Sequence, residues 1–185
     1  MLLILDSGPL SILAAYSMMR RGCLVEPLLP LSDMIRFFAR DPQLRLARRL
    51  RDLVTRPSYR TFTLEFDRLV GGGRTSSLGY SDARRFVRFA GAKLAAEKKF
   101  KGIVFSDVGG ELAVLHESVS DQASPPIFQP LIGLSNEDLV DMCKQVDLTE
   151  EDLISQLELE NQRSSSAALD FSEYLDRAEF EQLSL

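Results

Sequence analysis

Residues 1–30 constrain the fold of this chain more than any other stretch, because they read as a strand, a glycine turn, a helix and a second strand. Residues 2–5 are continuously apolar, which is typical of a strand buried on both faces of a parallel sheet. The turn at 6–9 ends this run, and apolar side chains then recur at helical spacing over 10–21. A second apolar run follows at 24–29. The stretch therefore predicts a βαβ unit in a doubly wound, mostly parallel α/β sheet.

The turn of this unit is a candidate phosphate site. In such a sheet the backbone N–H groups of the first strand-to-helix turn point out of the carboxyl edge, where the helix dipole favours an anion. A third buried strand is predicted at 102–106, and its end meets the same edge as the end of the second strand. The sequence therefore predicts a nucleotide-binding cleft formed by Asp6, Ser7, Gly8, Ser11, Leu29 and Ser106.

The charge of the chain divides it into two parts. Residues 1–147 contain 20 Lys or Arg against 17 Asp or Glu, whereas residues 148–185 contain 2 against 10. A chain of 185 residues with 45% hydrophobic content can bury one sizeable core. We therefore expect a nucleotide-binding domain over 1–147 and an acidic helical tail over 148–185. The tail is expected to dock on the domain, on a second copy of the chain or on another protein.

Hydropathy and cysteine content indicate the compartment. No apolar run reaches the roughly 18 residues that a membrane-spanning helix needs. The N-terminal apolar segment has no basic leader and is interrupted by Asp6 and Pro9. Cys23 and Cys143 lie far apart and are interpreted as buried thiols in a reducing compartment. The sequence thus predicts a soluble, cytoplasmic protein with no membrane partner.

Further helices and strands are predicted along the body. Residues 31–56 read as a helix with Ser32 or Asp33 as its N-cap and a kink or break at Pro42. The second half of this helix is amphipathic with a strongly basic face. The same patterns predict a strand at 59–66 and a helix at 81–99.

The tail, the glycine triplet and the single histidine are each interpreted as structural features. Thr149 is predicted to cap a short helix, and a helix-like segment that includes Phe180 and Leu183 follows a polar linker. The glycine triplet at 71–73 is interpreted as a mobile loop. His116, the sole histidine, is interpreted as a satisfied or exposed side chain rather than a metal ligand or general base.

Two motifs carry a family resemblance. The first predicted helix contains the run Ala14-Ala15-Tyr16-Ser17-Met18-Met19-Arg20-Arg21-Gly22. This run resembles the Ala-Ala-Tyr-x-Met-Met-x-Arg-Gly helix of the PP-loop ATP pyrophosphatases (adenine nucleotide alpha hydrolases), most closely the tRNA 4-thiouridine synthetases of thiamine and thiouridine biosynthesis. The Pro-Leu-Ile-Gly segment at 130–133 is similar to a second family motif, and the resemblance covers 2–146. It implies a Rossmann-like PP-loop fold, ATP with Mg²⁺, and tRNA reached through a separate RNA-binding partner.

The phosphate-binding loop of this family reads Ser-Gly-Gly-x-Asp-Ser. Gly8 and Ser11 fit the pattern, whereas Asp6, Ser7 and Leu10 depart from it. The second glycine gives the backbone close access to a phosphate, and the loop aspartate lies near the metal and pyrophosphate in family members. The resemblance therefore implies a nucleotide site with an altered loop.

The helix at 81–99 departs from the family in a second way. Family members open this helix with Cys-x-x-Cys and two basic residues, and this chain has Tyr80 and Ala83 in the cysteine positions. Arg84 and Arg85 retain the basic pair, for which we expect RNA or phosphate contacts. Gln129 replaces the arginine of the second motif. We therefore assign no catalytic residue and no metal ligand.

Three functions remain open from the sequence. The first is an enzyme that activates a uridine of tRNA by adenylation so that sulfur can displace the adenylate. The second is a non-catalytic subunit that binds a nucleotide or RNA beside a partner. The third is an interaction protein that retains only the fold. Because several charged groups of the site are replaced, we expect any ATP binding to be weak and the isolated chain to be catalytically impaired.

Overall fold

The computed structural model describes residues 1–54, 59–70, 79–108, 125–161 and 178–183. Its strands are β1 (Leu2–Ile4), β2 (Glu26–Leu31), β3 (Thr61–Glu65), β4 (Ile103–Val104), β5 (Ile127–Phe128) and β6 (Phe180–Leu183). Within these ranges they form one sheet with the order β5-β4-β1-β2-β3-β6. All neighbouring strands are parallel except β3 and β6.

Helices cover both faces of the sheet. They are α1 (Gly8–Arg20), α2 (Arg40–Asp52), α3 (Phe66–Val70), α4 (Tyr80–Glu97), α5 (Asn136–Gln145) and α6 (Glu150–Asn161). Side chains of α1, α2, α5 and α6 share one hydrophobic core, and those of α3 and α4 share the other. The predicted doubly wound α/β fold is confirmed.

The central strand β1 shows why the apolar run at the N-terminus fixes this architecture. Leu2 and Ile4 lie in the core beneath α4, whereas Leu3 and Leu5 lie in the core beneath α1. β1 is paired in parallel with β2 on one side and β4 on the other, as predicted. Gly91 of α4 faces Ile4 so closely that an added Cβ would overlap the isoleucine Cδ1. The strand is therefore covered on both faces.

The prediction of a helix over 31–56 is wrong for the first third of that range. β2 continues to Leu31, and Ser32 then accepts hydrogen bonds from the backbone N–H groups of Met34 and Ile35 at 3.1 and 2.8 Å. The helix itself begins at Arg40, so Pro42 lies in its first turn, where a missing N–H group loses no helical bond. The predicted kink is therefore the start of a helix.

The tail contains one confirmed element and one correction. The short helix after Thr149 is α6, and Thr149 Oγ1 accepts from the backbone N–H of Asp152 at 3.1 Å. Phe180 and Leu183, which were expected in a helical segment, form the antiparallel edge strand β6 on β3. Pairing with β3 gives the backbone groups of this short segment hydrogen-bond partners in a neighbouring strand.

Some sequence predictions fall outside the described residues, namely the loop at 71–73 and the side chain of His116. Cys143 is buried and Cys23 half-buried, and both are free thiols. In the described part of the chain, each helix is too short or too polar to cross a membrane. The division of the chain at residue 147 stays a prediction.

Candidate functional site

Two aspartates follow neighbouring strands at the carboxyl edge of the sheet. Asp6 follows β1, and Asp107 follows β4, which is paired with β1 in parallel. Helix α4 passes this edge and presents Arg84 and Arg88, which lie one helical turn apart. The fold therefore brings two carboxylates and two guanidinium groups to one point, and we call these four residues the ion network.

Each aspartate of the ion network contacts both arginines. Asp6 Oδ2 accepts from Arg84 Nε at 3.0 Å and from Arg88 Nε at 2.5 Å. Asp107 Oδ1 accepts from Nη2 of Arg84 and of Arg88, both at 2.8 Å, and Asp107 Oδ2 accepts from Arg88 Nη1 at 3.1 Å. The side chain of Asp6 is 0% exposed, and those of Arg88 and Arg84 are 9% and 11% exposed. The network is thus a buried cluster that pairs two carboxylates with two guanidinium groups.

Uncharged side chains complete the network. Asp6 Oδ1 accepts from the hydroxyl groups of Ser7 at 3.1 Å and Ser106 at 3.3 Å. Gln129 Nε2 donates to Asp107 Oδ2 at 2.7 Å. Gln129 therefore contacts a carboxylate of its own chain from the position where the family resemblance places an arginine.

The network determines the protonation of Asp6. Burial alone would raise the pKa of this carboxyl group, but the positive charges of Arg88 and Arg84 outweigh burial and hold the pKa below its ordinary value. Burial would likewise lower the pKa of Arg88, and the charge of Asp6 raises it above the ordinary value instead. Both residues therefore remain charged at neutral pH.

The turn before α1 uses most of its own backbone donors. Ser7 N–H donates to Ser11 Oγ at 3.2 Å, and Leu10 N–H donates to the Ser7 carbonyl at 3.1 Å. Pro9 has no N–H group. Gly8 has a φ of +49°, and the Oε1 atom of Gln156 lies 2.9 Å from the position of an added Cβ. Few donors of the turn are therefore left for an external anion.

Five of the six predicted nucleotide-binding residues come together, but four of those five are buried. Ser11 Oγ lies 3.3 Å from Ser106 Oγ, which links the turn to the end of β4 as expected. Asp6, Ser7, Ser11 and Ser106 are each at most 2% exposed, so Gly8 is the one of these five residues that is partly open. Leu29 lies within β2 and is fully buried in the core beneath α1, so the structure does not bring it into the site.

The two arginines predicted to contact RNA or phosphate lie at protein contacts. Arg84 belongs to the ion network. The Arg85 guanidinium carbon lies 5.7 Å from the ring centre of Phe89, and its Nε atom is buried without a hydrogen-bond partner among the described residues. Their role toward RNA stays a prediction.

A cleft of about 670 Å³ opens beside the turn. Its walls come from the start of α1, the 3-10 turn at Arg36–Phe38, α2 and α6. Arg36, Arg45 and Arg49 line it, together with Phe37, Asp6 and Asp152. We call this the basic cleft. Its size is in the range that holds a small ligand or one segment of a larger one.

Two arginines of the basic cleft lack a carboxylate partner. Arg36 and Arg45 are exposed and make no ion pair within the described ranges, and Arg49 makes only a 3.5 Å pair with the exposed Asp147. Gln43 also lines the cleft and is 2% exposed; its Nε2 donates to the Phe37 carbonyl at 3.3 Å. Gln43 Oε1 has no partner in the described structure. The cleft therefore offers positive charge to a ligand.

The sequence did not reveal which residues contact the arginines of the ion network, or that the arginines of α2 lie beside the turn. It did not connect Arg88 with Asp107, although an arginine four positions after Arg84 lies on the same helix face. An aspartate directly after each of two adjacent buried strands was the second usable signal. The basic face of α2 was recognised, but its position beside the turn was not.

The fold and the turn at its carboxyl edge define a PP-loop-type α/β domain. The sequence model of the family described as thiamine biosynthesis protein (ThiI) matches residues 1–159, so the chain belongs to this family. This is the thiouridine synthetase type of PP-loop domain, which relates the chain to tRNA thiolation. No curated protein matches the chain.

The residues at the turn do not fit the triphosphate of ATP, which this family generally uses. Asp6 and Asp107 are ion-paired with Arg84 and Arg88 of α4. Leu10, which stands in the position of the family's loop aspartate, is fully buried in the core. Among the described residues, no three His, Cys, Asp or Glu side chains are grouped as a metal ion requires. We therefore derive no chemical step through ATP or Mg²⁺ at this turn.

Proposed function

We propose that this chain is a non-adenylating member of the ThiI family that binds tRNA through the basic cleft. The observation that carries the proposal is the set of arginines in that cleft, of which Arg36 and Arg45 have no carboxylate partner in the described ranges. Unpaired guanidinium groups on a surface attract phosphates, and a row of them favours a polyanion.

The absence of adenylation follows from the replaced groups. Attack at an α-phosphate requires that basic groups or a metal neutralise developing charge, and one missing contact typically reduces the rate by about a hundredfold to a thousandfold. Here Arg84 and Arg88 are held by Asp6 and Asp107. The later sulfur step is affected as well, because Ala83, in a cysteine position of the family, is fully buried and has no nucleophilic group. Several contributions are therefore lost together.

RNA fits the basic cleft better than a free mononucleotide. Arg48 of α2 is exposed, lies outside the cleft lining and follows Arg45 by three positions, so positive charge is also present beside the cleft. Phe37 lies partly buried in the cleft wall, in edge contact with Tyr80 at 4.9 Å, and provides an aromatic surface for a base.

The binding test compares two sets of arginines. We expect the Arg45→Ala/Arg49→Ala variant to bind tRNA about tenfold more weakly or worse than the unchanged chain, with a smaller salt dependence, because each lost phosphate contact reduces the salt slope by about one. The matched control is Arg68→Ala, whose side chain is 74% exposed on α3 at the opposite face. Equal losses for both variants would show non-specific attraction and contradict the proposal.

The second test addresses chemistry. We expect no pyrophosphate release from ATP, with or without tRNA, from the intact chain. Release that depends on tRNA and disappears in Arg84→Met would support the enzyme instead, with Arg84 as its phosphate contact. Binding of a separate RNA-binding partner, self-association and a cytoplasmic location stay predictions, and the last accords with two free cysteines.

A further inference from the structure

The loop between β2 and α2 contributes two residues, Arg36 and Phe37, to the wall of the basic cleft. The loop begins at Ser32, and the Ser32 N–H donates to the Phe38 carbonyl at 2.8 Å, which joins its two ends. Phe38 is fully buried in the core beneath α4. The loop is therefore closed at its base and anchored in the core, with Arg36 and Phe37 at the cleft.

One carboxylate from the end of a neighbouring strand holds this loop. β3 lies parallel beside β2, so the residues that follow the two strands are neighbours. Asp67, just after β3, accepts from Ser32 Oγ and from the Asp33 N–H, both at 2.6 Å. Ser32 Oγ in turn accepts from the backbone N–H groups of Met34 and Ile35 at 3.1 and 2.8 Å. Because hydrogen bonds to an ionised acceptor are the stronger kind, Asp67 fixes the backbone at the start of the loop.

We infer that Asp67 is a positioning residue of the basic cleft, which acts through this loop to hold Arg36 and Phe37 where they meet RNA. The inference rests on the proposed function, since it concerns RNA binding in the same cleft. Asp67 itself is half-buried and lies outside the described lining of the cleft. A loop that is already ordered binds more tightly than one that a ligand must order, and this gives the contact its effect on affinity.

The charge of Asp67 gives the inference a sign that can be tested. A carboxylate near an RNA site repels phosphates, so loss of its charge alone strengthens binding. Loss of a carboxylate that positions Arg36 weakens binding, because the loop is released. The two roles of Asp67 therefore predict opposite changes in tRNA affinity.

The first measurement compares the tRNA affinity of Asp67→Ala with that of a matched control, Asp41→Ala. Asp41 is exposed in the first turn of α2, next to the cleft residue Pro42, so the control removes the same charge beside the same cleft. We expect Asp67→Ala to bind tRNA about threefold to tenfold more weakly than the unchanged chain. Its salt slope should fall by about one, as in Arg36→Ala. Asp41→Ala should bind as tightly as the unchanged chain or more tightly.

Two further measurements separate positioning from a general loss of structure. The two backbone N–H groups that donate to Ser32 Oγ should exchange with solvent faster in Asp67→Ala, as followed by NMR without RNA. In a chain that already carries Arg36→Ala and Phe37→Ala, Asp67→Ala should weaken tRNA binding no further, because the residues through which it acts are gone.

The inference is overturned if Asp67→Ala binds tRNA as tightly as Asp41→Ala, if its N–H exchange is unchanged, or if it weakens binding further in the Arg36→Ala/Phe37→Ala chain. Should Asp67→Ala not fold, Asp67→Asn takes its place, since the amide keeps one acceptor without the charge. It should bind more weakly than Asp41→Asn, and equal or tighter binding overturns the inference. An unchanged chain that does not bind tRNA is a different result, which contradicts the proposed function, and the inference then fails even if the exchange is faster.

Discussion

The ion network and the basic cleft lie side by side at one edge of the sheet, but their arginines differ in burial and in ion pairing. Arg84 and Arg88 are buried, and each contacts both Asp6 and Asp107. The arginines of the cleft are exposed or half-exposed, and the strongest ion pair among them is 3.5 Å long. In the first region positive charge is neutralised inside the fold, whereas in the second it remains available to a ligand.

Because of this difference, we expect the arginines of the ion network to affect stability and those of the basic cleft to affect binding. A buried guanidinium group without a counter-charge is strongly unfavourable, so the arginines of the network are coupled to the folded state. An exposed arginine contributes little to stability because water and salt screen its charge. We therefore expect substitutions in the network to change the free energy of unfolding and substitutions in the cleft to change affinity.

The largest effect is expected for Arg88→Met. This change leaves Asp6 and Asp107 with Arg84 as their remaining arginine in the network, and loss of one partner from a buried ion cluster typically reduces the free energy of unfolding by about 3–5 kcal/mol. Denaturant unfolding would measure it. The control Arg68→Met should lie within about 0.5 kcal/mol of the unchanged chain, as is usual at exposed positions. A small effect of Arg88→Met would mean that the network does not stabilise the fold.

A fall in pH should reduce the stabilisation by the ion network gradually, whereas Arg88→Met removes one partner completely. The pKa of Asp6 is lower in the folded chain than in the unfolded chain, so its contribution to stability is present above about pH 4 and is lost as the pH falls through the folded pKa. The free energy of unfolding should thus fall more steeply below pH 4 in the unchanged chain than in Asp6→Ser. Parallel curves for the two proteins would contradict this assignment.

A smaller effect is expected for Gly8→Ala, at the border of the two regions. The φ of +49° is unfavourable for an L side chain by about 1–2 kcal/mol, and the new Cβ would press on Gln156. Gly22→Ala is the matched control, because Gly22 has a φ of +80° with no atom within 4 Å of the added Cβ. A greater loss of Tm at Gly8 than at Gly22 would report the contact with Gln156.

The smallest effect on stability is expected for Arg49→Ala. Its pair with Asp147 joins side chains that are 37% and 106% exposed, so the free energy of unfolding should change by less than about 0.5 kcal/mol. The same variant should bind tRNA more weakly. A large loss of stability with unchanged affinity would reverse the roles assigned to the two regions.

Much of the fold could be predicted because its signals are local. The apolar run of β1 and the turn at Gly8 identify the βαβ unit within a few residues. The N-cap at Thr149 was likewise readable, and its Oγ1 accepts from the Asp152 N–H at 3.1 Å while Asp152 accepts from the Thr149 N–H at 3.4 Å. Such patterns depend on neighbours in sequence, which a single chain displays directly.

The candidate site was harder to predict because its contacts are distant in sequence. Arg84 and Arg88 meet Asp6 across 78 and 82 positions. Sequence alone suggested that Arg84 and Arg85 contact RNA or phosphate, and it did not show that Asp6 and Asp107 lie beside Arg84. The strand at Phe180–Leu183 was missed for a related reason, since a short segment takes the structure that its pairing partner imposes.

The sheet includes a strand, β6, that lies beyond the region matched by the family model. The ThiI family match ends at residue 159, but Phe180 and Leu183 pair with Leu64 and Thr61 at the edge of the sheet. A chain shortened to the matched region would keep the turn and both sets of arginines, yet it would leave the outer N–H and C=O groups of β3 unpaired. Such an edge is a template for another strand. The last residues of the described chain thus cover β3, and β6 takes the outer position in the sheet.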